Sequence, residues 1–295
     1  MSTNSEIKLY MTLAEAGDAA AQNWLGMIYQ NGKGVERDYA EAVKWYYMAA
    51  RQGHADAQNN LGLMCQNGIG VQQNDAEAAQ WYYLAARQGH AEAQFHLGWM
   101  YQNGEGVSQN FDEAVKWYLR AAEQDNAEAQ NSLGWMYQNG EGVSQNDDEA
   151  FRWYRKAADH NYADAQNNLG WMYLNGRGVG QNEDEAVKWY HKAAEHGHAA
   201  AQNNLGWRYQ HGKGVPQDYN KAIKWYRKAA EQGHAVAQNN LGLMYSKGLQ
   251  DYAEAARWFL KAAEQGISSA QYNMGLFHEE GRGVEKDSAS AEMWY

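Results

Sequence analysis

The chain has 295 residues, 44% of them hydrophobic, and a formal net charge of −11. That length allows one large domain or two ordinary ones, and the apolar share is enough for an ordered core. The negative balance argues against a general binder of nucleic-acid backbone and permits a cationic partner.

The opening residues, MSTNSEIKLYM, lack a basic start followed by an apolar stretch, so no secretory leader is expected. Residues 1–18 place Leu9, Tyr10, Leu13, Ala14 and Gly17 at the spacing of an amphipathic helix, and they read as a half-unit cap. From residue 19 the chain repeats itself. A glycine preceded by leucine (methionine in the last case) stands at Gly26, Gly62, Gly98, Gly134, Gly170, Gly206, Gly242 and Gly275. The step is 36 residues until the last, which is 33. A tryptophan–aromatic pair keeps the same beat, from Trp45-Tyr46 to Trp294-Tyr295. A period of this size marks an array of stacked units.

Each unit reads as two helices. The first carries A-x-A-Q-x-x-L-G-x-x-Y, in which Ala93, Gln94, Leu97, Gly98 and Tyr101 share one stripe. Glycine costs a helix about 1 kcal/mol relative to alanine, so its recurrence predicts close approach of another backbone. A Gly-x-Gly-Val turn follows, and then a second helix with A-x-x-W-Y-x-x-A-A, as in Ala114, Trp117, Tyr118, Ala121 and Ala122. Residues 19–267 give seven such repeats, and 268–295 an incomplete eighth. The three-residue deletion lies between Tyr245 and Trp258, where Gly-x-Gly-Val is lost. The chain halts at Tyr295, within the last second helix. We expect a truncation and a monomer. The alternative is an open end that packs on another chain, as an end-to-end dimer or a self-assembling repeat protein.

The face of the first helix opposite its stripe is free for other work. Tryptophans hold one column in the four central repeats: Trp99, Trp135, Trp171 and Trp207. Beside them run Asn59, Asn131, Asn167 and Asn203, then Gln102 and Gln138, then Asn103 and Asn139, with Glu92 and Glu128 at the rim. Carboxamides donate and accept, so they can clamp a peptide backbone, and tryptophan is a frequent hot-spot residue. We read these residues as a partner-binding groove. The alternative is that each Trp fills the gap to the next repeat while Asn and Gln bond to loop backbone.

These motifs resemble the Sel1-like repeat, a relative of the tetratricopeptide repeat. The resemblance covers the chain from about Ile7 onward. It implies an all-α, right-handed αα superhelix, a solenoid with first helices on the concave side. It also implies an adaptor or scaffold that binds proteins or peptides, including in bacterial signalling and host interaction. Cysteine-rich relatives carry a disulfide in each unit, and a penicillin-binding hydrolase activity is suggested for them. Cys65 is the only cysteine here, so that branch does not fit, and a reducing, cytoplasmic setting is expected.

Chemical motifs find no context. The recurrent Gly-x-Gly joins two helices, where a dinucleotide site needs a strand before it. Ser5-Glu6-Ile7-Lys8 matches S-x-x-K without its companion motifs. His54, His90, His198 and His234 share one turn position in different repeats and read as turn or packing residues. His196 and His198 lack an acidic or cysteine partner for a metal. We therefore expect no enzyme, cofactor, metal, nucleic acid or membrane.

Overall fold

The computed structural model describes residues 3–295, with side chains from residue 5. The first two residues of the expected half-repeat 1–18 lie outside the described residues. The fold is all-α: among the described residues there are seventeen helices and no strand. They form two compact units, Met1–Ala157 and Ala158–Tyr295.

The first unit contains α1 (Thr3–Glu15), α2 (Ala19–Asn31), α3 (Tyr39–Arg51), α4 (Ala55–Asn67), α5 (Asp75–Arg87), α6 (Ala91–Asn103), α7 (Phe111–Ala122) and α8 (Ala127–Asn139), and most of α9 (Asp147–Asp159). The second contains α10 (Ala163–Asn175), α11 (Glu183–Glu195), α12 (Ala199–His211), α13 (Tyr219–Glu231), α14 (Ala235–Leu243), α15 (Tyr252–Glu264), α16 (Ser268–Glu280) and α17 (Ser288–Trp294). A π-helical segment, Met244–Leu249, follows α14. Even-numbered helices are the first helices of the repeats. Within a unit each helix packs on the next in sequence.

Local chemistry sets the helix ends. Second helices start on a capping carboxylate or carboxamide, as where Asn110 Oδ1 accepts from the Glu113 N–H at 3.1 Å. First helices other than α14 stop at a left-handed glycine. Gly104 has φ 72°, its N–H donates to the Met100 carbonyl, and the Glu105 N–H reaches the same oxygen. That is the glycine stop expected after a helix. The chain then folds back until the Asn110 N–H meets the Tyr101 carbonyl at 2.8 Å.

The glycine inside each first helix makes room for an aromatic ring. A Cβ on Gly98 would lie 2.8 Å from Cδ1 of Tyr118. The expectation of a neighbouring backbone is thus corrected, because the ring of the following helix is the closest neighbour in every repeat that repeats the motif. Tyr46, Tyr82, Tyr118 and Tyr154 are fully buried in this way.

The recurrent glutamines of the pattern tie three helices together. Gln94 Nε2 donates to the Ala86 carbonyl at the end of α5, while its Oε1 accepts from Gln124 after α7 at 2.8 Å. Gln58 and Gln202 do the same with Ala50 and Gln88, and with Ala194 and Gln232. In the fifth repeat His196 replaces the donor glutamine and meets Gln166 at 3.1 Å. In Gln58, Gln94 and Gln202 both ends of the buried amide are satisfied, which removes the penalty of burying it, whereas Gln130 Oε1 is buried without a partner.

Candidate partner-binding face

The tryptophan column divides by environment. Trp135, Trp171 and Trp207 are each 39% exposed, on α8, α10 and α12. Trp99 on α6 is half-buried between two core clusters. By contrast, Trp45, Trp117, Trp189, Trp225 and Trp258 of the second helices are core residues, with Trp117 at 5% and Trp189 at 4%, while Trp81, Trp153 and Trp294 are half-buried. In the second unit, Trp207 stacks on His211 with ring centroids 4.2 Å apart, and the Arg208 guanidinium lies 4.8 Å from the indole. Arg208 also reaches Glu183 at 3.5 Å. A cavity of about 210 Å³ opens beside this group, lined by Leu174, Tyr190, Asn204, Trp207 and Arg208.

The carboxamide columns are more engaged than the sequence suggests. Gln102 and Gln138 use their Oε1 atoms to accept from the buried Tyr118 and Tyr154 hydroxyls, at 2.6 and 2.8 Å. Asn103 and Asn139 turn their Nδ2 atoms onto the Trp99 and Trp135 carbonyls, at 2.9 and 2.8 Å. That caps orphan carbonyls at the helix end. Asn167 and Asn203 accept from Asn204 and Asn240 of the next repeat, at 3.4 and 3.0 Å. Asn131 is half-buried. Asn59 is a correction: it is 2% exposed, and its Nδ2 points to Glu92 at 3.4 Å. A side chain so enclosed cannot clamp an incoming peptide. Gln102, Gln138, Asn103, Asn139, Asn167 and Asn203 each commit one end to the fold.

Glu92 and Glu128 are both exposed. Partial burial, then the nearby Glu92 charge, raises the Glu128 carboxyl above its ordinary range. Asp56 and Asp164 pair instead with His90 and His198, the residues that cap the next first helix, at 3.2 and 3.1 Å.

Sequence reasoning missed what the turn histidines do. His54, His90, His198 and His234 are N-caps of first helices, and each Nδ1 accepts the backbone N–H three residues on, at 3.1–3.3 Å. The signal was available, because His54, His90, His198 and His234 fall at the position where Asp18 and Asn126 cap other repeats. Among the described residues, no group of three or more His, Cys, Asp or Glu side chains could hold a metal ion. No helix among them is long and apolar enough to cross a membrane.

Paired helices, a glycine seat for a buried tyrosine and a glutamine clasp between repeats define an α-helical repeat protein. The Sel1 repeat model matches residues 19–54, 55–90, 91–126, 127–162, 163–198, 199–234, 235–267 and 268–295, and the chain belongs to that family. It is similar to the crystal structure of c5321, a protective antigen of uropathogenic Escherichia coli with an SLR fold. That match has 33% identity and a TM-score of 0.70, covering 98% of this chain and 78% of the other. A Sel1 repeat protein from Oxalobacter formigenes matches with 35% identity and a TM-score of 0.74, over 82% of this chain and 96% of its own. Yeast Tom70 shares the fold alone, at 16% identity and a TM-score of 0.52, over 94% of this chain and 58% of its own. Among curated proteins, none matches the chain.

Proposed function

We propose that this chain is a non-enzymatic scaffold that holds a segment of a partner protein against its first helices. One observation carries the reading. Trp135, Trp171 and Trp207 keep 39% of their surface open, while Trp189 and Trp225, one helix after Trp171 and Trp207, keep 4% and 8%, and Trp153, one helix after Trp135, is half-buried. Packing therefore leaves large, rigid apolar faces uncovered, and such faces suit partner anchors. The free Nε2 atoms of Gln102 and Gln138 and the free Oδ1 atoms of Asn103 and Asn139 stand beside the column as hydrogen-bonding rims.

Glu92 and Glu128 favour a basic residue on the partner, because a cation there offsets the partial burial and then the Glu92 charge that raise Glu128. Binding of this kind weakens with salt. The single cysteine, buried in α4, suits a reducing compartment, and we place the protein in the cytoplasm. The test is capture of a partner from native lysate by the wild-type chain and by Trp135→Ala and Trp171→Ala variants. Capture that survives both changes argues against this face. Saturable hydrolysis of nitrocefin would instead make the chain an enzyme.

A further inference from the structure

The shortened seventh repeat leaves a seat empty that other repeats fill. In those repeats the second glycine of Gly-x-Gly-Val rests on the start of the preceding second helix. A Cβ on Gly70 would meet the Tyr39 carbonyl oxygen at 2.4 Å, one on Gly106 that of Asp75 at 2.1 Å, and one on Gly142 that of Phe111 at 2.5 Å. Gly214 sits on Glu183 and Gly283 on Tyr252 in the same way. Only glycine lets backbone approach backbone so closely. The valine that follows is half-buried against the core, as at Val71, Val107 and Val215.

At α13 this cover is missing, because the next connection runs through the π-helical segment and has no Gly-x-Gly-Val. Gly248, the glycine that remains there, has nothing within 4 Å of its Cβ position. A cavity of about 520 Å³ opens over α13, with Tyr219, Ile223, Leu243, Met244, Lys247 and Leu249 on its walls. Tyr219 and Leu249 are 55% and 56% exposed.

The charge around the seat is one-sided. No acidic side chain lines the cavity. The first turn of α13 has no acid, whereas those of α5, α7, α11 and α15 each have at least one. α13 itself carries Lys221, Lys224, Arg227 and Lys228 against Glu231, with Lys221 paired to the Asp218 cap at 3.5 Å.

We propose that this seat takes an acidic, glycine-containing turn of a partner protein, which lays a small apolar side chain over Ile223 and sets its carboxylates toward Lys247 and the bases of α13. The turn takes the place that the molecule's own Gly-x-Gly-Val occupies on α3, α5, α7, α11 and α15. Gln210 and Leu243, which hold the Gln138 and Trp207 positions in later repeats, line the seat, but none of the four column tryptophans does, and its test does not rest on them.

The probe is a fluorescein-labelled, disulfide-cyclised peptide, CDNGEGVEDC, read by fluorescence anisotropy on the full chain. Two controls are the same peptide with lysine for each acid, and one with aspartate for valine. Two protein variants close the seat: Ile223→Glu, and a graft that replaces residues 246–251 with the sequence of residues 102–110. The graft restores a connection that this chain already folds elsewhere, and thermal melting verifies it. The expected result is saturable binding by the wild type, weakened about tenfold or more by either variant and by either control peptide. Equal binding to the grafted chain overturns the proposal. So does no saturable binding at about 1 mM peptide, or a self-association of the wild type that the graft abolishes.

Discussion

The buried hydroxyl of Tyr154 donates to Oε1 of Gln138 at 2.8 Å, which joins the core of the fourth repeat to the face proposed for partner binding. The two ends of this bond are not equivalent. Gln138→Ala leaves a buried hydroxyl without its acceptor, at a cost of about 1–3 kcal/mol. Tyr154→Phe leaves a half-buried amide oxygen that water can reach, at about 1 kcal/mol. The urea midpoint of unfolding should fall more for the first variant than for the second.

The glycine under the same ring gives a second test. A Cβ on Gly134 would lie 2.6 Å from Cδ1 and 2.7 Å from Cε1 of Tyr154. Gly134→Ala gains helix propensity of about 1 kcal/mol but forces the ring aside, and overpacking costs about 1–3 kcal/mol. A net loss of stability is expected by chemical denaturation. Gly180→Ala is the control, since nothing lies within 4 Å of that position and its φ is not positive; it should be neutral.

His96 makes stability depend on pH. It stacks on the Tyr82 ring at 4.9 Å, and burial, then the His90 charge, pushes its imidazole down to about 4. An unfolded histidine titrates near 6.5. The unfolded chain therefore binds the proton first as the pH falls. The contribution is fully present above about pH 6.5 and is lost as the pH drops toward 4, by up to about 3 kcal/mol. His96→Asn puts in the residue that Asn60 and Asn168 supply in other repeats. The variant should show a flatter stability profile between those pH values, measured by urea midpoints.

Cys65 should be silent in the folded protein. It is 1% exposed, and burial, then the Glu77 charge, pushes its thiol up to about 11. Reaction with a thiol-specific reagent at neutral pH should be negligible in the native chain and complete in urea.

Much of this was legible in the sequence. The repeat period, the helix pairs, the glycine stops and the buried Gln and Tyr columns follow from residues that recur in register. Which neighbour each glycine meets was not legible, because a wheel shows which residues share a face but not what lies across it. The carboxamide columns illustrate the same limit. Asn59 and Asn203 occupy one column, yet Asn59 is buried beside Glu92 while Asn203 accepts from Asn240. The residue across from Asn59 is His96, where Asn203 has Asn240, so Asn59 lacks that carboxamide donor. The deletion after Tyr245 was visible as missing letters, but the cavity it opens needed the three-dimensional stack.

The central claim is that the open tryptophan faces serve a partner and are not spare core. Trp135→Ala, Trp171→Ala and Trp207→Ala, set against Trp117→Ala in the core, test it with two readouts: the thermal midpoint, and the affinity for a protein captured by the wild-type chain. The account predicts that Trp117→Ala lowers the midpoint most, as loss of a buried tryptophan costs about 3–5 kcal/mol. It predicts that the three open tryptophans lower the midpoint less and reduce affinity about tenfold or more. Equal destabilisation by all four changes, with no loss of affinity, would contradict it.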